Sequence, residues 1–445
     1  TLTQAAGTST KKFTVSMWFK PGTISTDRGL WGCGTGTSDA VSMHYQTGDT
    51  FSLETYDGSA NPKLRTTRVF RDPAAWYHLV FSIDTTDSDS SERLKIYING
   101  VELTVFIADV TIGENTDIPG WSGSGDTMKI GNRILDGDAF YTGLMSHVHV
   151  VDGTIYGPST FGEFDSVSGI WKIKTSPTVT YGTNGGFYKF ESGALTTDSS
   201  GESNTLTQVG TPTETKDSPS NNFATLNPLA QDVAATYVLS NGNTTVQSSS
   251  GWWTMPLTLG AGVGKWYFEA KMDNLSNYAH VGWCTQDWIN QQGVANYFGG
   301  VSVNESSCGY GQDGAIYYST TTSNGQSSAY DNTFTTGDVI GCALDLDNGF
   351  AYWSIDGVWQ NSGDPTSGAT GTGAFTIDNP TAKGYLWLPG VAIYSATWSV
   401  NAGNGYFGTT LIGSPEADDG GVGAFAYDVP AGYRAVCTKN IKAYG

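Results

Sequence analysis

Hydrophobic and polar residues alternate most regularly between residues 337 and 360. A period of two places one row of side chains on the core face of a strand, and here that row is Ile340, Cys342, Leu344 and Leu346. Asp345 falls on the opposite row, so we expect it to face away from the core and to tolerate replacement by Asn. Asn348-Gly349 and Asp356-Gly357 follow where two-residue hairpin turns need a positive φ. The stretch therefore predicts three antiparallel strands joined by two tight turns.

The same alternation recurs along the rest of the chain. In the first half it predicts strands at residues 13–19, 76–84, 93–101 and 141–151. In the second half it predicts strands at residues 265–272, 279–284, 309–318 and 385–394. No stretch shows the 3.6-residue period of an α-helix of any length. The pattern therefore predicts an all-β protein.

The length of the chain indicates more than one domain. All-β domains commonly run to about 200 residues, so 445 residues predict two of them in tandem. Residues 193–230 are rich in Ser, Thr, Gly, Asn and Pro and have few large apolar residues, which is typical of an extended linker. We therefore predict one antiparallel β-sandwich at residues 1–192 and a second at residues 231–445.

Two groups of motifs resemble known modules. GDVIGCALDLDNG, followed by the aromatic-rich YWSIDG, resembles the central signature of the SPRY domain. RDPAAWYHLVFSID, RLKIYINGVEL and YTGLMSHVHVVDG resemble a LamG or concanavalin A-like jelly roll. The resemblances imply a concanavalin A-like jelly roll at residues 1–192 and a SPRY-like sandwich at residues 231–445.

The phrases that join these modules resemble a wider family. STFGEFDSVSGIWK, TYGTNGGFYKF, DSPSNNFATLNPL and DVPAGYRAVCTKNI are similar to sequences in long tailed-phage proteins, abundant in marine phages, that join a LamG-like module to a SPRY module. This resemblance implies a virion structural protein, which would be a tail or capsid fibre, a spike or a decoration element. Such a protein would be made in the host bacterial cytoplasm and displayed on the virion surface. It would contact other virion proteins and form a homo-oligomer, with a trimer favoured.

Charge and cysteine content narrow the classes of partner. The formal net charge is −20, which opposes binding to phosphate backbones, so we expect no nucleic-acid partner. No apolar run approaches the roughly 18 residues that a membrane helix needs, so we expect no membrane insertion and a soluble protein. The five cysteines show no C-x-x-C spacing and are expected to be buried free thiols.

The residues that catalysis would need fall in the wrong pattern. Concanavalin A-like glycoside hydrolases use paired carboxylates, but after Glu163 and Asp165 the third acidic position is Ser168. His147 and His149 lie two apart on a predicted strand and would share a face, as a lyase requires, but no Gln precedes them in the lyase manner. We therefore expect no enzymatic activity and assign no catalytic residue.

The sequence gives only a weak indication of metal binding. LamG-like modules often hold Ca²⁺ through Asp and Asn oxygens at a loop edge. Acidic clusters occur at residues 84–89, 136–138 and 418–419, but none has the spacing of a dedicated calcium loop. We assign no metal ligand and no cofactor, and leave open one Ca²⁺ site within residues 1–192.

Loop aromatics give the strongest indication of function. Sugar rings stack on Trp and Tyr, and their hydroxyl groups bond to nearby Asp, Asn and Gln. The aromatic residues that fall in polar, loop-like contexts are Tyr45, Tyr56, Trp121, Trp252, Trp288, Tyr297 and Trp359. Together with the fold analogy they predict an adhesin that binds a host cell-surface polysaccharide. The alternatives are a purely structural virion component that uses its sandwiches for protein contacts, and a polysaccharide depolymerase.

Overall fold

The chain folds into two units, each with its own hydrophobic core. The computed structural model describes residues 1–58, 61–134, 139–230, 237–286, 297–299, 306–320, 323, 325–377 and 385–445. The first unit spans Thr1–Glu214 and the second spans Thr215–Gly445. Both are built from antiparallel sheets, which confirms the predicted all-β class of two sandwiches. Within these residues, no helix is long and apolar enough to cross a membrane.

The described part of the first unit consists of short strands and two 3₁₀ turns. Its strands are β1 (Leu2–Thr3), β2 (Lys12–Lys20), β3 (Arg28–Gly36), β4 (Asp39–Tyr45), β5 (Phe51–Tyr56), β6 (Lys63–Thr66), β7 (Tyr77–Asp84), β8 (Leu94–Ile98), β9 (Val101–Glu102), β10 (Phe106–Val110), β11 (Thr127–Ile130), β12 (Leu144–Asp152), β13 (Gly162–Phe164), β14 (Trp171–Ile173) and β15 (Gly186–Tyr188). The 3₁₀ turns lie at Ser90–Glu92 and Pro158–Thr160.

These strands form two main sheets that enclose the core. The seven-stranded sheet has the order β1-β11-β3-β4-β5-β6-β10, the six-stranded sheet has the order β15-β12-β2-β7-β8-β9, and β13 pairs with β14. Phe13 and Phe81 come from the six-stranded sheet, whereas Trp31 and Leu53 come from the seven-stranded one, and all four lie in one buried cluster. The alternation in each strand therefore points one row of side chains into a shared core.

The second unit has a larger sheet system and ends in a short helix. Its strands are β16 (Tyr237–Ser240), β17 (Thr245–Ser248), β18 (Trp253–Pro256), β19 (Lys265–Thr285), β20 (Ser307–Gly311), β21 (Ala315–Ser319), β22 (Gln326–Ala329), β23 (Val339–Asp345), β24 (Phe350–Ile355), β25 (Val358–Trp359), β26 (Phe375–Thr376), β27 (Trp387–Asn401), β28 (Tyr406–Phe407), β29 (Thr410–Leu411) and β30 (Arg434–Ala435). The 3₁₀ turns are Gln360–Ser362 and Gly368–Thr370, and the helix is α1 (Thr438–Tyr444). This helix was not predicted, because seven residues are too few to show a helical period.

Two long strands, β19 and β27, organise this unit. They pair along most of their length, with register shifts between Met272 and Asn274 and between Leu275 and Tyr278. Before the shifts β19 pairs with β23, and after them it pairs with β20. The rings of Phe268 and Trp283, one from each half of β19, lie 5.1 Å apart in the same buried cluster, so the two halves face each other across one core.

The meander predicted at 337–360 is present. Its first turn differs from the prediction, and so does the burial of the sheet face that carries Asp345. Asp356 and Gly357 form a two-residue turn with φ of 48° and 79°. Asn348-Gly349 instead belongs to a four-residue loop, since Asp345 pairs with Phe350. Asp345 was expected to face away from the core, yet it is fully buried. A second cluster containing Tyr267, Tyr352, Phe425 and Tyr433 covers the face of the sheet that alternation left open.

The predicted linker at residues 193–230 is divided between the two units. The Asp198 carboxylate accepts hydrogen bonds from the backbone N–H of Phe187 and Asn204, so this part of the segment folds back on the first unit. Phe223 and Leu226 are fully buried in clusters of the second unit. Burial of these two apolar side chains attaches the end of the polar segment to the second unit.

Candidate functional site

Six rings lie close together on one side of the second unit. We call this surface the aromatic face, and it consists of Trp252, Tyr278, His280, Tyr297, Tyr317 and Tyr394. It lies on the sheet surface opposite the main core, over a small buried cluster of Cys284, Phe298, Leu388 and Ala392. Tyr278 is 48% exposed, so the surface is open to solvent at its edge.

Strand alternation places the rings on this side. In β19, Ala279 and Val281 point into the main core. Tyr278 and His280 alternate with them and therefore point to the opposite face of the sheet. Trp253 packs against the main core, and its neighbour Trp252 therefore falls on the aromatic face. Each ring is thus held by a backbone that the core fixes.

Glycines let the chain segment that carries Tyr297 lie against the sheet. The ring of the next residue, Phe298, is fully buried, and a side chain at Gly309 would meet it at 2.4 Å. A side chain at Gly390 would approach the same ring to 3.4 Å. Because both positions are Gly, Phe298 seats directly on the sheet and Tyr297 lies beside Trp252.

Trp252 is the centre of the aromatic face. Its ring centroid lies 4.8 Å from His280, 5.2 Å from Tyr297, 5.6 Å from Tyr278 and 5.9 Å from Tyr394. The Tyr278 ring is stacked at an interplanar angle of 22°. Rings at these separations support one another and leave a continuous apolar surface.

The aromatic face carries little charge of its own. Burial lowers the pKa of His280 to about 3, with the nearby Asp313 acting weakly in the other direction, so the imidazole is neutral at physiological pH. Its ring stacks on Tyr317 at 4.2 Å. The Tyr317 hydroxyl donates to Asp313 at 2.6 Å, and burial, followed by this bond, raises the pKa of the phenol. Stacking plus a few acceptors is a chemistry that suits a neutral, ring-shaped ligand.

Trp359 lies elsewhere in the second unit, beside a cleft of about 230 Å³. The residues around this cleft are Trp359, Gly363, Asp364, Pro365, Thr366, Asp428, Val429 and Pro430. Trp359 is partly buried against Tyr267 and Tyr352, with ring centroids 6.5 Å away in both cases. We call this feature the Trp359 cleft.

Two of the predicted binding residues in the first unit are core residues, and that part of the prediction was wrong. Tyr45 is 5% exposed because it occupies an inward-facing position of β4, where its ring lies 4.5 Å from Phe51. Trp121 is 2% exposed and lies 4.7 Å from the ring of Phe13. Tyr56 is partly buried on the other face of its sheet, where its hydroxyl donates to Glu54. Trp288 lies outside the described residues.

The sequence-level candidates for catalysis are held in structural contacts. His149 is 2% exposed, shares a 2.8 Å hydrogen bond with Tyr181 and stacks on Phe187 at 3.9 Å. A β-bulge lies between Ser146 and His149, yet His147 also contacts the Phe187 ring, with centroids 5.7 Å apart, so the two histidines share a face as predicted. Glu163 is exposed and Asp165 is half-buried, and both approach Lys172, at 3.2 and 3.6 Å.

Metal ligation finds no support in the part of the chain that the structure describes. Within it, no group of three or more His, Cys, Asp or Glu side chains is arranged to hold a metal ion. The acidic cluster at 136–138 lies outside the described residues. The five cysteines are buried and free, as predicted from their spacing.

The structure adds residues that sequence reasoning did not select. These residues are Tyr278, His280, Tyr317 and Tyr394, which lie in or beside predicted strands and not in the polar, loop-like contexts from which the candidates were chosen. A signal was available, since Tyr278 and His280 alternate with the apolar Ala279 and Val281. A strand with apolar residues on one row and rings with polar atoms on the other presents an aromatic surface to solvent.

Comparisons with solved structures give similarities at low identity. The SPRY domain of human HERC1 has 17% identity and a TM-score of 0.29, covering 39% of this chain and 96% of that one. A second human SPRY domain has 13% identity and a TM-score of 0.26, with coverages of 37% and 94%. The heptameric SAP-like pentraxin of Limulus polyphemus has 19% identity and a TM-score of 0.25, with coverages of 35% and 68%. Among curated proteins, none matches this chain.

Two family models match separate parts of the sequence. The model of the concanavalin A-like lectin/glucanases superfamily matches residues 1–156. The SPRY domain model matches residues 265–376, which include β19, β23 and β24. The chain therefore carries a concanavalin A-like domain in its first unit and a SPRY domain in its second.

Proposed function

We propose that this protein is a non-enzymatic virion component of a tailed phage and binds a host-surface glycan through the aromatic face. The resemblance of the joining phrases to phage proteins supports the virion role. The observation that supports glycan binding is the aromatic face itself, in which partly exposed rings surround Trp252. A contiguous patch of partly exposed rings is a feature of binding surfaces, and Tyr278 is 48% exposed within this one.

The chemistry of the aromatic face suits a neutral sugar. Residues 231–445 contain 6 Lys and Arg against 17 Asp and Glu, a net charge of −11, which opposes an anionic polymer. Stacking of a sugar's C–H face on Trp252 and Tyr278 needs no charge, and Asp313 accepts hydrogen bonds from hydroxyl groups. We therefore expect binding that changes little with salt concentration.

The test is binding of the full chain to a panel of bacterial surface polysaccharides. Trp252→Ala and Tyr278→Ala should each weaken binding about tenfold or more, which corresponds to roughly 1.4 kcal/mol or more of lost contact. Tyr444→Ala is a matched control, since Tyr444 is 49% exposed and lies outside the aromatic face. For Tyr278→Ala the thermal melt should stay nearly unchanged, because truncating an exposed ring opens no cavity.

Other outcomes would favour the alternatives. A wild-type chain that binds no surface glycan but co-purifies with another virion protein would support the purely structural role. Release of shortened oligosaccharides from a polysaccharide would establish a depolymerase. Equal binding by wild type and Trp252→Ala would remove the aromatic face from the mechanism.

A further inference from the structure

The Trp359 cleft combines an aromatic wall with two carboxylates, and nothing in the aromatic face accounts for it. The side chains of Pro365, Val429 and Pro430 supply apolar walls, and Asp364 and Asp428 supply charge. The cleft is formed where the segment after β25 meets a segment near the end of the chain. At about 230 Å³ it is smaller than the roughly 300–1,000 Å³ of pockets for drug-sized ligands, so it suits a single ring.

The Trp359 ring is held in place by its neighbours and is still available to contact a ligand in the cleft. Its ring packs edge-on to Tyr267 and Tyr352, which belong to the second buried cluster of this unit. Among the described residues, its indole N–H has no hydrogen-bond partner. A ring fixed in this way is a pre-organised surface, since a ligand that stacks on it does not have to immobilise it.

The carboxylates of the cleft have no cationic partner among the described residues. Asp364 accepts hydrogen bonds from the Thr366 backbone N–H at 2.8 Å and from its hydroxyl at 2.6 Å, and these bonds lower the pKa of the carboxyl group. Asp364 is thus fixed in its charged form. Asp428 is exposed beside the same cleft, and no Lys or Arg is among the residues that surround it.

We propose that the Trp359 cleft binds a sugar that carries a free amino group. The ammonium group would lie between Asp364 and Asp428, and the apolar face of the ring would stack on Trp359. A cation near a Trp face gains cation–π attraction in addition to the attraction of the two carboxylates. The proposal rests on the proposed glycan function, and it adds a second site with a different preference from that of the aromatic face.

Matched oligosaccharides test this selectivity. Chitosan tetrasaccharide carries free amino groups, and its N-acetylated counterpart differs from it only in those groups. We expect the full chain to bind the free amine about tenfold more tightly at low salt, equivalent to about 1.4 kcal/mol, and to lose most of this preference at high salt. Equal affinity for both sugars at low salt would overturn the proposal.

Variants locate the preference. Asp364→Asn combined with Asp428→Asn should abolish the preference for the amine, and because both residues are exposed the fold should persist. Glu416→Gln removes an exposed negative charge outside the cleft and should keep the preference. A preference that survives the double variant, or is lost equally in Glu416→Gln, would show attraction by overall charge only and would also overturn the proposal.

Different variants test the two proposed sites independently. Trp252→Ala and Tyr278→Ala should weaken binding to neutral polysaccharide and leave the amine preference intact. Trp359→Phe keeps a ring packed against Tyr267 and Tyr352 but removes the indole, and it should weaken amine binding alone. Loss of the amine preference in Trp252→Ala would assign it to the aromatic face and refute the role of the cleft.

Discussion

Leu344 and Asp345 are neighbours on β23 and are both completely buried, in different surroundings. Leu344 lies in the main core of the second unit. The Asp345 carboxylate accepts from the backbone N–H of Asp347 and Asn348 at 3.1 and 3.0 Å and pairs with Lys265 at 2.9 Å. One residue contributes apolar contact, and the other closes the loop that follows the strand.

Substitutions at both positions are therefore expected to destabilise the second unit. Leu344→Ala should lower the free energy of unfolding by about 2–5 kcal/mol through cavity formation. Asp345→Asn should lower it by about 1–3 kcal/mol, because an amide nitrogen would face Lys265 or the Asn348 side chain. Asp347→Asn is the control, since Asp347 is exposed, and should change little. Urea unfolding checks this, and a neutral Asp345→Asn would show that its contacts contribute nothing.

Glu269 gives the second unit a pH dependence. Its carboxylate is completely buried and accepts from the backbone N–H of Ala426 at 2.8 Å and of Tyr427 at 3.0 Å. Burial nevertheless raises its pKa from 4.5 to about 7. The folded state therefore holds a proton that the unfolded chain releases, and its stability falls as the pH rises from 4.5 through 7.

The expected loss from Glu269 across this window is on the order of 3 kcal/mol. Hydrogen exchange of the β19 and β23 amides in the full chain at pH 4.5 to 7.5 would measure it. Glu269→Gln cannot ionise and should flatten the profile. An unchanged profile in Glu269→Gln would assign the pH dependence to other groups.

At the scale of elements, the four-residue loop and the two-residue turn of the meander place their glycines in different surroundings. Gly349 and Gly357 both have a φ of 79°, so Ala at either position costs about 1–2 kcal/mol in backbone strain. An added Cβ at Gly349 would find no atom closer than 3.8 Å, whereas at Gly357 it would meet the Tyr427 ring at 2.7 Å. We therefore expect Gly357→Ala to cost about 1–3 kcal/mol more than Gly349→Ala. Equal urea midpoints for the two variants would mean that the Tyr427 ring moves aside freely.

The alternation of hydrophobic and polar residues predicts strands well where only one face of the strand is buried against a partner sheet. The strands at 13–19, 76–84 and 340–346 follow the period of two. It fails for Asp345, because several residues of the cluster that buries the second face of β23, such as Phe425 and Tyr433, lie far along the chain. The bulge before His149 is invisible for a related reason, since it depends on pairing with β2.

At the scale of the whole molecule, the candidate sites were predictable only in part. Trp252, Tyr297 and Trp359 were selected from their polar surroundings, and the structure places two of them on the aromatic face and one beside the Trp359 cleft. Sequence could not show that Tyr278 and Tyr394 join them, because that depends on the register between β19 and β27. Tyr45 shows the converse error, since a ring near a turn can still point inward.

The boundary between the units can be tested by dividing the chain. Phe223 and Leu226 are fully buried in the second unit, Ala224 N–H donates to Val436 at 3.0 Å, and Leu226 N–H donates to Asn243 at 2.8 Å. A fragment of residues 231–445 loses all of these contacts. Burial of one Phe or Leu is worth roughly 1.5–3 kcal/mol, which is a large share of a typical domain's stability of about 5–15 kcal/mol.

We therefore expect residues 215–445 to fold alone with a cooperative thermal transition, and residues 231–445 to melt at a clearly lower temperature or not to fold. Residues 1–214 should likewise fold better than residues 1–192, which lack Asp198 and its bonds to Phe187 and Asn204. Circular dichroism melts of the four fragments measure this. Phe223→Ala in the 215–445 fragment should account for part of the difference, by about 3–5 kcal/mol. Equal melting of the 215–445 and 231–445 fragments would show that residues 215–230 lie against the unit without stabilising it.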